Sequence, residues 1–241
     1  MESGFLMLLY KNKIVVTGGH GRFGKILKMF NKNLNIFYPK KNNLNILKVN
    51  SIELYLKKIK PKYLIHCAGL SRPMDIHDNE ISKSIDANII GTANIVKICE
   101  KFKIKLIYFS TGYVYQGKSG NYKESDPVLP INNYAWSKLG GECAVAMYKN
   151  SLILRIIMCE KPFIHKFAFS DIETNFMYHD EVAKIIPKIL NKKGIINIGG
   201  KTQTVYAFAK KDNKDVKKKS GRNLFPPKPS MNVSKLKKIL N

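Results

Sequence analysis

The chain has 241 residues, 44% of them apolar and 24% charged, so it is long and apolar enough to bury a core and is not a disordered protein. Its net charge of +25 suggests a nucleic-acid partner, but only four of the 42 basic residues are arginines and the lysines run along the whole chain. Because phosphate and base recognition favours the planar fork of arginine, nucleic-acid binding is the weaker alternative to a lysine-rich composition.

The sequence predicts a cytoplasmic protein with neither a membrane span nor a metal site. No apolar run approaches the length of about 20 residues that a membrane helix needs, and the run at residues 5–10 is too short for a signal-peptide core. The four cysteines are far apart, and the five histidines lack the spacing of metal ligands. We therefore expect reduced, buried thiols and interpret His66, on a predicted strand, as a core residue.

Strands and helices alternate along the first two thirds of the chain. The helix at 51–59 is predicted to begin with Ser51 as its N-cap and to end before Pro61. Alternation of this kind is typical of an α/β protein with a parallel sheet that is covered on both faces. Strands are predicted at 13–17, 35–38, 44–49, 63–67, 105–109 and 152–157, and helices at 22–31, 51–59, 80–102 and 132–148.

The pattern weakens beyond residue 158. Helices are predicted at 180–190 and 233–240, with an extended segment at 195–198. Residues 210–229 are rich in lysine and contain a Pro-Pro pair, so they are predicted to form a mobile loop.

A glycine-rich turn follows the first strand and precedes the first helix. Gly18, Gly21 and Gly24 are spaced by three, which allows a tight turn, close backbone approach to a pyrophosphate, and packing of helix on strand. The start of the helix adds free N–H groups and the positive end of its dipole. Because a strand precedes the motif and a helix follows it, the motif predicts a dinucleotide site. The residues assigned to this site are Gly18, His20, Gly21, Arg22, Phe23 and Gly24.

The end of the second predicted strand favours NADP over NAD. An acidic residue there would bind the 2′-hydroxyl of the adenosine ribose, but the sequence has Tyr38, Pro39, Lys40 and Lys41 instead. Lys40 and Lys41 would suit a 2′-phosphate. The alternative is that they belong to the general abundance of lysine in this chain.

Tyr134 and Lys138 form a YxxxK pair on one face of a predicted helix. A nearby ammonium group is expected to lower the pKa of Tyr134 from its usual value of about 10. Tyr134 would then be a proton donor to a carbonyl that receives hydride. Thr111 follows a buried strand, at the sheet edge where ligands bind. For YxxxK alone, the alternative is an amphipathic helix with a snorkelling lysine.

The segment from Phe109 to Glu142 resembles the dTDP-4-dehydrorhamnose reductase family of extended short-chain dehydrogenase/reductases. The similarity also includes the glycine-rich turn, Cys67-Ala-Gly69, and Lys228-Pro-Ser230 near the end of the chain. It implies a Rossmann-type doubly wound parallel sheet over residues 1–157. Residues 158–241 would form a small substrate-binding part interleaved with the first domain.

The resemblance implies an NADP(H)-dependent reduction of the 4-keto group of a 4-keto-6-deoxy sugar nucleotide, as in dTDP-rhamnose biosynthesis. Thr111 would hold the substrate carbonyl, Tyr134 would donate the proton, and Lys138 would bind the nicotinamide ribose. A homodimer is compatible with the resemblance. The resemblance also assigns residues to two sites. The cofactor site gains Cys67, Ala68, Gly69, Tyr134 and Lys138, and the substrate site contains Thr111, Gly112 and Tyr113.

The chain departs from the family pattern on the substrate side. Gly112 stands where the family usually has Asp, and residues 157–159 lack the aromatic sugar contact that the family often has. A nucleotide-sugar epimerase and a non-catalytic NADP-binding regulatory subunit therefore stay open as alternatives. A dehydratase is disfavoured, because no acidic pair follows Thr111.

Overall fold

The computed structural model describes residues 11–222 and 224–241, so the apolar run at 5–10 lies outside the described residues. Strands and helices alternate over most of this part of the chain. In chain order the strands are β1 (Ile14–Thr17), β2 (Ile36–Phe37), β3 (Tyr63–His66), β4 (Lys105–Thr111), β5 (Ser151–Ile156), β6 (Met158–Cys159), β7 (Phe167–Phe169), β8 (Glu173–Thr174), β9 (Met177–Tyr178), β10 (Gly194–Ile198), β11 (Gln203–Thr204) and β12 (Lys217–Lys219).

Helices cover both faces of the main sheet. A π-helical turn (Asp86–Ile90) joins the fourth helix to the fifth, and a 3-10 turn (Gly112–Val114) follows β4. In chain order the helices are α1 (Arg22–Phe30), α2 (Val49–Ile59), α3 (Ile76–Asn79), α4 (Ile81–Ile85), α5 (Gly91–Lys101), α6 (Asn133–Ala146), α7 (His179–Ile189), α8 (Val205–Ala209) and α9 (Ser234–Leu240).

The main sheet has the strand order β10-β5-β4-β3-β1-β2, and all neighbouring strands are parallel. The chain runs from β1 outward to β2 and then returns to form β3 on the other side of β1. The carboxyl ends of β1 and β3 therefore border the crevice where open parallel sheets bind ligands. This is the doubly wound sheet expected from the sequence.

Two apolar cores sandwich the sheet. Leu27 of α1, Ile186 of α7 and Leu236 of α9 belong to the core on one face. Leu56 of α2 and Ile98 of α5 belong to the core on the other face, which also includes residues of α6. A third core lies within residues 159–216, where the shorter strands pair outside the main sheet. β10 nevertheless joins the main sheet beside β5, so the later residues interleave with the earlier ones.

The predicted strand at 44–49 is wrong. Turns replace it: the backbone N–H of Leu44 donates to the carbonyl of Lys40 at 3.0 Å, and Asn45 Oδ1 accepts from the N–H of Leu47 at 3.0 Å. Asparagine side chains compete with sheet pairing in this way. Ser51 is not the N-cap, because α2 begins at Val49 and Ser51 Oγ accepts from the N–H of Asn45.

The predicted loop at 210–229 is wrong in part. β12 pairs in parallel with β7, with Lys217 opposite Phe167 and Lys219 opposite Phe169. The N–H of Gly221 then donates to Asp171 Oδ1 at 2.7 Å, which fixes the chain after the strand. The three lysines of β12 are exposed although their backbone is paired, so the strand lacks the apolar residues by which a strand is predicted from sequence.

Within residues 11–222 and 224–241, no helix has the length and apolar character needed to cross a membrane.

Candidate active site

A cavity of about 1070 Å³ lies at the carboxyl ends of the central strands. It extends from the turn after β1 to the segments around β7 and β12. The structure therefore brings most of the predicted site residues together around one space. Those that line it are Gly18, Gly21, Arg22, Phe23, Gly24, Cys67, Ala68, Gly69, Thr111, Tyr113, Tyr134 and Lys138.

The glycine-rich turn is packed too closely to accept side chains. Gly18 has φ +71°, and a Cβ there would lie 2.6 Å from the backbone nitrogen of Ala68. A Cβ on Gly24 would lie 2.5 Å from the Cα of Gly19, so α1 approaches the turn at backbone distance. No side chain among the described residues caps the start of α1, which leaves its first N–H groups available to an anion. This turn fits the diphosphate of a dinucleotide.

A second cavity of about 340 Å³ continues from the same turn towards the end of β2. His20 and Lys41 line it, and none of its described lining residues is acidic. Lys40 is exposed and lines neither of these cavities. The ring of Tyr38 packs on Gly19, where a Cβ would lie 2.4 Å from Tyr38 Cδ1. After β2, where an acidic residue would bind the ribose of NAD, the chain therefore has the aromatic ring of Tyr38 and the nearby Lys41.

Asn88 fixes the segment that follows β3 and lies on the π-helical turn. Its Oδ1 accepts from the N–H of Leu70 at 2.7 Å, and its Nδ2 donates to the Leu70 carbonyl at 2.9 Å and to Ser137 Oγ at 2.8 Å. Asn88 thereby links the segment after β3 to α6. The sequence did not predict Asn88 as a site residue; an asparagine within a predicted helix was the available signal.

Tyr134, Thr111 and Lys138 line the large cavity together. The Thr111 hydroxyl accepts from the N–H of Tyr113 at 3.2 Å. Lys138 lies one turn after Tyr134 on α6, and its Nζ is 4.3 Å from the centre of the Tyr108 ring. These groups can donate hydrogen bonds and a proton to a carbonyl oxygen in the cavity.

Burial shifts the two titrating groups in opposite directions. It raises the pKa of Tyr134 to about 12, against the smaller lowering effects of the Thr111 side chain and of Arg72 and Arg22. It lowers the pKa of Lys138 to about 8, although Cys67 and Glu142 favour the charged form. The expected lowering of the Tyr134 pKa is therefore wrong, because desolvation outweighs the attraction of nearby charges. Tyr134 keeps its proton at neutral pH.

A buried network of charged and polar side chains connects α6 with β4 and β5 next to Thr111 and Tyr134. Glu142 lies two turns after Tyr134 on α6 and accepts from Ser110 Oγ at 2.6 Å. Arg155 on β5 donates to the same carboxylate through Nη2 at 2.5 Å and to the hydroxyl of Tyr115 at 2.8 Å. Because Ser110 immediately precedes Thr111, the network ties the end of β4 to α6.

Gly112 lies outside the cavity lining, unlike Tyr113. A Cβ on Gly112 would be 2.6 Å from Cγ1 of Ile157 and 2.8 Å from Sδ of Met231. Gly112 and Ile157 are two of the positions at which the sequence departs from the family pattern, and they contact one another. The isoleucine fills the space that a larger residue at position 112 would need.

The cavity continues beyond the central strands into residues 160–229. Aromatic side chains and two lysines line this end, and sequence analysis assigned none of them to the site. They are Phe163, Lys166, Phe167, Phe169, Phe176, Lys219 and Phe225.

A family model described as "RmlD substrate binding domain" matches residues 12–159. Methionine adenosyltransferase 2 subunit beta of Pongo abelii is 30% identical over 142 residues, which are 55% of this chain and 42% of that protein. A dTDP-4-keto-6-deoxy-D-glucose reductase of Streptomyces niveus is 30% identical over 134 residues, 54% of this chain and 46% of that protein. The chain spans less than half the length of these curated relatives.

Solved structures share the fold over nearly the whole chain. A dTDP-4-dehydrorhamnose reductase from Bacillus anthracis str. Ames, in complex with NADP, has a TM-score of 0.82 at 24% identity and covers 94% of this chain and 91% of its own. A hypothetical dTDP-4-dehydrorhamnose reductase from Sulfolobus tokodaii has a TM-score of 0.84 at 24% identity, covering 95% of each chain. A UDP-glucose 4-epimerase from Thermus thermophilus, in complex with NAD, has a TM-score of 0.74 at 17% identity, with 95% and 92% covered.

At these identities the structural likeness shows the fold, and it confirms the Rossmann-type doubly wound sheet expected from the sequence. The family model covers more than half of the chain and includes the glycine-rich turn, Thr111, Tyr134 and Lys138. The chain therefore belongs to the RmlD substrate binding domain family.

Proposed function

We propose that this chain uses NADPH to reduce the 4-keto group of a 4-keto-6-deoxy sugar nucleotide, with Tyr134 as the proton donor. The observation that carries the proposal is that Thr111, Tyr134 and Lys138 line the same cavity as the glycine-rich turn. The names of the relatives support it, since they include sugar-nucleotide reductases and one complex with NADP.

The residues at one end of the cavity suit a dinucleotide. Gly18, Gly21 and Arg22 would hold its diphosphate at the start of α1, and Lys138 would hold the nicotinamide ribose. Lys41, in the smaller cavity, would favour a 2′-phosphate and hence NADP over NAD. When bound, the reduced nicotinamide supplies the hydride that the carbonyl carbon accepts.

Thr111 and Tyr134 would act on the carbonyl oxygen of the substrate. Both hydroxyl groups would donate hydrogen bonds to it, and Tyr134 would transfer its proton as negative charge develops on the oxygen. The raised pKa of Tyr134 keeps that proton in place until the transfer. The charge of Lys138 would stabilise the phenolate that is left.

We assign residues 158–241 to the substrate-binding part. Phe169 and Phe225 offer aromatic surfaces for a base, and Lys166 and Lys219 offer positive charge for its diphosphate. From this range, β10 pairs with β5, and α7 and α9 pack on the main sheet. These contacts would fix the position of the substrate end of the cavity relative to Tyr134.

The test is turnover of NADPH with a dTDP-4-keto-6-deoxy sugar, followed by the loss of NADPH absorbance. Tyr134→Phe removes the proton donor, and we expect kcat to fall by about 10²- to 10⁴-fold with NADP affinity nearly unchanged. Tyr55→Phe, in α2 and outside both cavities, is the matched control and should retain full activity. Full activity in Tyr134→Phe would contradict the proposal.

A non-catalytic cofactor-binding subunit is the second candidate function. It is favoured by the 30% identity to methionine adenosyltransferase 2 subunit beta. Such a subunit would bind NADP yet consume none with any keto sugar nucleotide. A nucleotide-sugar epimerase would convert its substrate without net consumption of NADPH. Loss of NADPH absorbance therefore separates a reductase from both, and conversion of the sugar nucleotide separates the epimerase from the subunit.

A further inference from the structure

Three charged side chains meet at the mouth of the large cavity. Glu160 Oε1 lies 3.0 Å from Arg72 Nη1 and 3.5 Å from Arg22 Nε, so both arginines share one carboxylate oxygen. Arg72 Nη1 also lies 3.3 Å from Glu160 Oε2, and Arg22 Nη2 donates to Ser71 Oγ at 3.1 Å. All four residues line the cavity. We call Arg22, Arg72 and Glu160 the mouth cluster.

The mouth cluster joins three parts of the fold. Arg22 is the first residue of α1, Arg72 lies in the segment after β3, and Glu160 follows β6. The carboxylate is the most buried member, with 18% of its side chain exposed, against 47% for Arg22 and 34% for Arg72. A ligand entering between the glycine-rich turn and residues 158–241 therefore meets Glu160 between two arginines.

Arginine is rare in this chain, which makes its placement informative. Of the four arginines, Arg155 is committed to the buried network with Glu142, and Arg222 is exposed. The other two form the mouth cluster, although lysine supplies nearly all other positive charge. The fork of arginine binds phosphate oxygens in pairs, which a lysine ammonium does not.

The mouth cluster carries one excess positive charge. Burial would raise the pKa of Glu160, but its own backbone N–H and the charges of Arg72, His179 and Arg22 together lower it, so the carboxylate is ionised at neutral pH. It therefore occupies the position that an incoming phosphate would take between the arginines. Electrostatic competition between these two anions follows from their like charge.

We propose that Arg22 and Arg72 form a clamp for the diphosphate of a nucleotide ligand, and that Glu160 occupies this clamp until the ligand displaces it. The clamp deepens the proposed function, because it rests on the same cavity binding a nucleotide. The shared chemistry is a diphosphate ester, which the dinucleotide and the sugar nucleotide both carry. Glu160 thus holds the two arginines in position and, as a competing anion, weakens binding of the diphosphate.

Glu160→Gln tests the clamp, because it removes the charge, keeps the shape of the side chain and leaves one oxygen that can accept from the arginines. Dissociation constants of NADP, dTDP and inorganic pyrophosphate are measured by calorimetry at low and high salt. We expect at least one nucleotide to bind about tenfold tighter to the variant at low salt, with a smaller gain at high salt. Unchanged or weaker binding of all three probes would overturn the proposal.

The matched control is Glu53→Gln, which neutralises a partly exposed carboxylate paired with Lys101 and outside both cavities. It should leave all three dissociation constants unchanged. Arg72→Lys keeps the charge but removes the fork, so we expect weaker binding and no gain when it is combined with Glu160→Gln. A full gain in that double variant would also contradict the clamp.

The two ligand arms identify the source of the diphosphate. A gain for NADP alone assigns the clamp to the dinucleotide, and a gain for dTDP alone assigns it to the sugar nucleotide. Tighter binding by Glu160→Gln without turnover of any sugar would keep the clamp and remove the proposed reduction. Turnover of a sugar nucleotide, with the affinities of Glu160→Gln unaltered, would keep the proposed reduction and remove the clamp.

Discussion

At the scale of single residues, burial separates the titration of Tyr134 from that of Lys138. The pKa of Tyr134 is raised to about 12 and that of Lys138 is lowered to about 8, both chiefly by desolvation. Between these values the tyrosine still holds its proton while the lysine has lost its charge. The alkaline limit of function should therefore belong to Lys138.

We expect kcat/KM to fall as the pH rises through about 8, since an uncharged Lys138 cannot stabilise the phenolate. In Lys138→Arg the charge persists at higher pH, so the fall should move upward even if the maximal rate is lower. The pH profile of kcat/KM for the two proteins is the measurement. The same alkaline limb in both would assign it to another group.

His66 gives a prediction for stability at acidic pH. It is fully buried between Thr17 at 2.7 Å and Thr92 at 3.1 Å, and burial lowers its pKa to about 3, with a further contribution from Lys138. The unfolded chain takes up a proton near pH 6.5 that the folded chain does not. Stability from this residue is therefore complete above about pH 6.5 and is lost as the pH falls towards 3.

The expected slope from His66 is about 1.4 kcal/mol of unfolding free energy per pH unit within that range. Chemical denaturation at several pH values, compared between the native chain and His66→Gln, isolates this contribution as a difference in slope. Parallel curves for the native chain and His66→Gln would contradict the assignment.

At the scale of elements, the pair of Glu142 and Arg155 joins α6 to β5 with both side chains only 5% exposed. Glu142→Ala would leave a buried guanidinium without its counter-charge, so we expect a loss of about 3–5 kcal/mol of unfolding free energy. Glu53→Ala breaks a pair with Lys101 that is partly exposed and should cost less than about 1 kcal/mol. Urea denaturation measures both, and equal losses would contradict the prediction.

The elements also show which signals the sequence carries. Asn132 caps α6 by accepting from the N–H of Ala135 at 2.8 Å, and the predicted helix at 132–148 is confirmed within two residues. Periodicity did not reveal the π-helical turn, which is a short departure within an otherwise α-helical segment. Nor could it distinguish the turns at 44–48 from a strand, since the burial of Leu44 fits both.

At the scale of the whole molecule, the half of the cavity around the glycine-rich turn was predictable and the far half was not. The glycine spacing after a strand located Gly18, while Thr111 was located by its place at the end of a predicted strand and by the family resemblance. Lys219, Phe225 and Glu160 reach the cavity through long-range pairing such as that of β12 with β7. No local pattern encodes such contacts.

The lysines behind the net charge of +25 fall into two groups, those that line the cavities and those on the rest of the surface. Lys41, Lys138, Lys166 and Lys219 line the two cavities, where positive charge would attract anionic nucleotides. Most of the remaining lysines are exposed on the surface. The charge of the whole molecule thus bears on encounter and solubility.

The place of β10 in the main sheet has a consequence for the integrity of shortened chains. The family match ends at residue 159, yet β5 pairs along its length with β10, which is contributed by residues 194–198. A chain cut at the boundary of the match would present β5, buried throughout in the intact fold, as an open apolar edge. Such edges recruit strands from other molecules and promote aggregation, so the segment after residue 159 also protects the sheet from self-association.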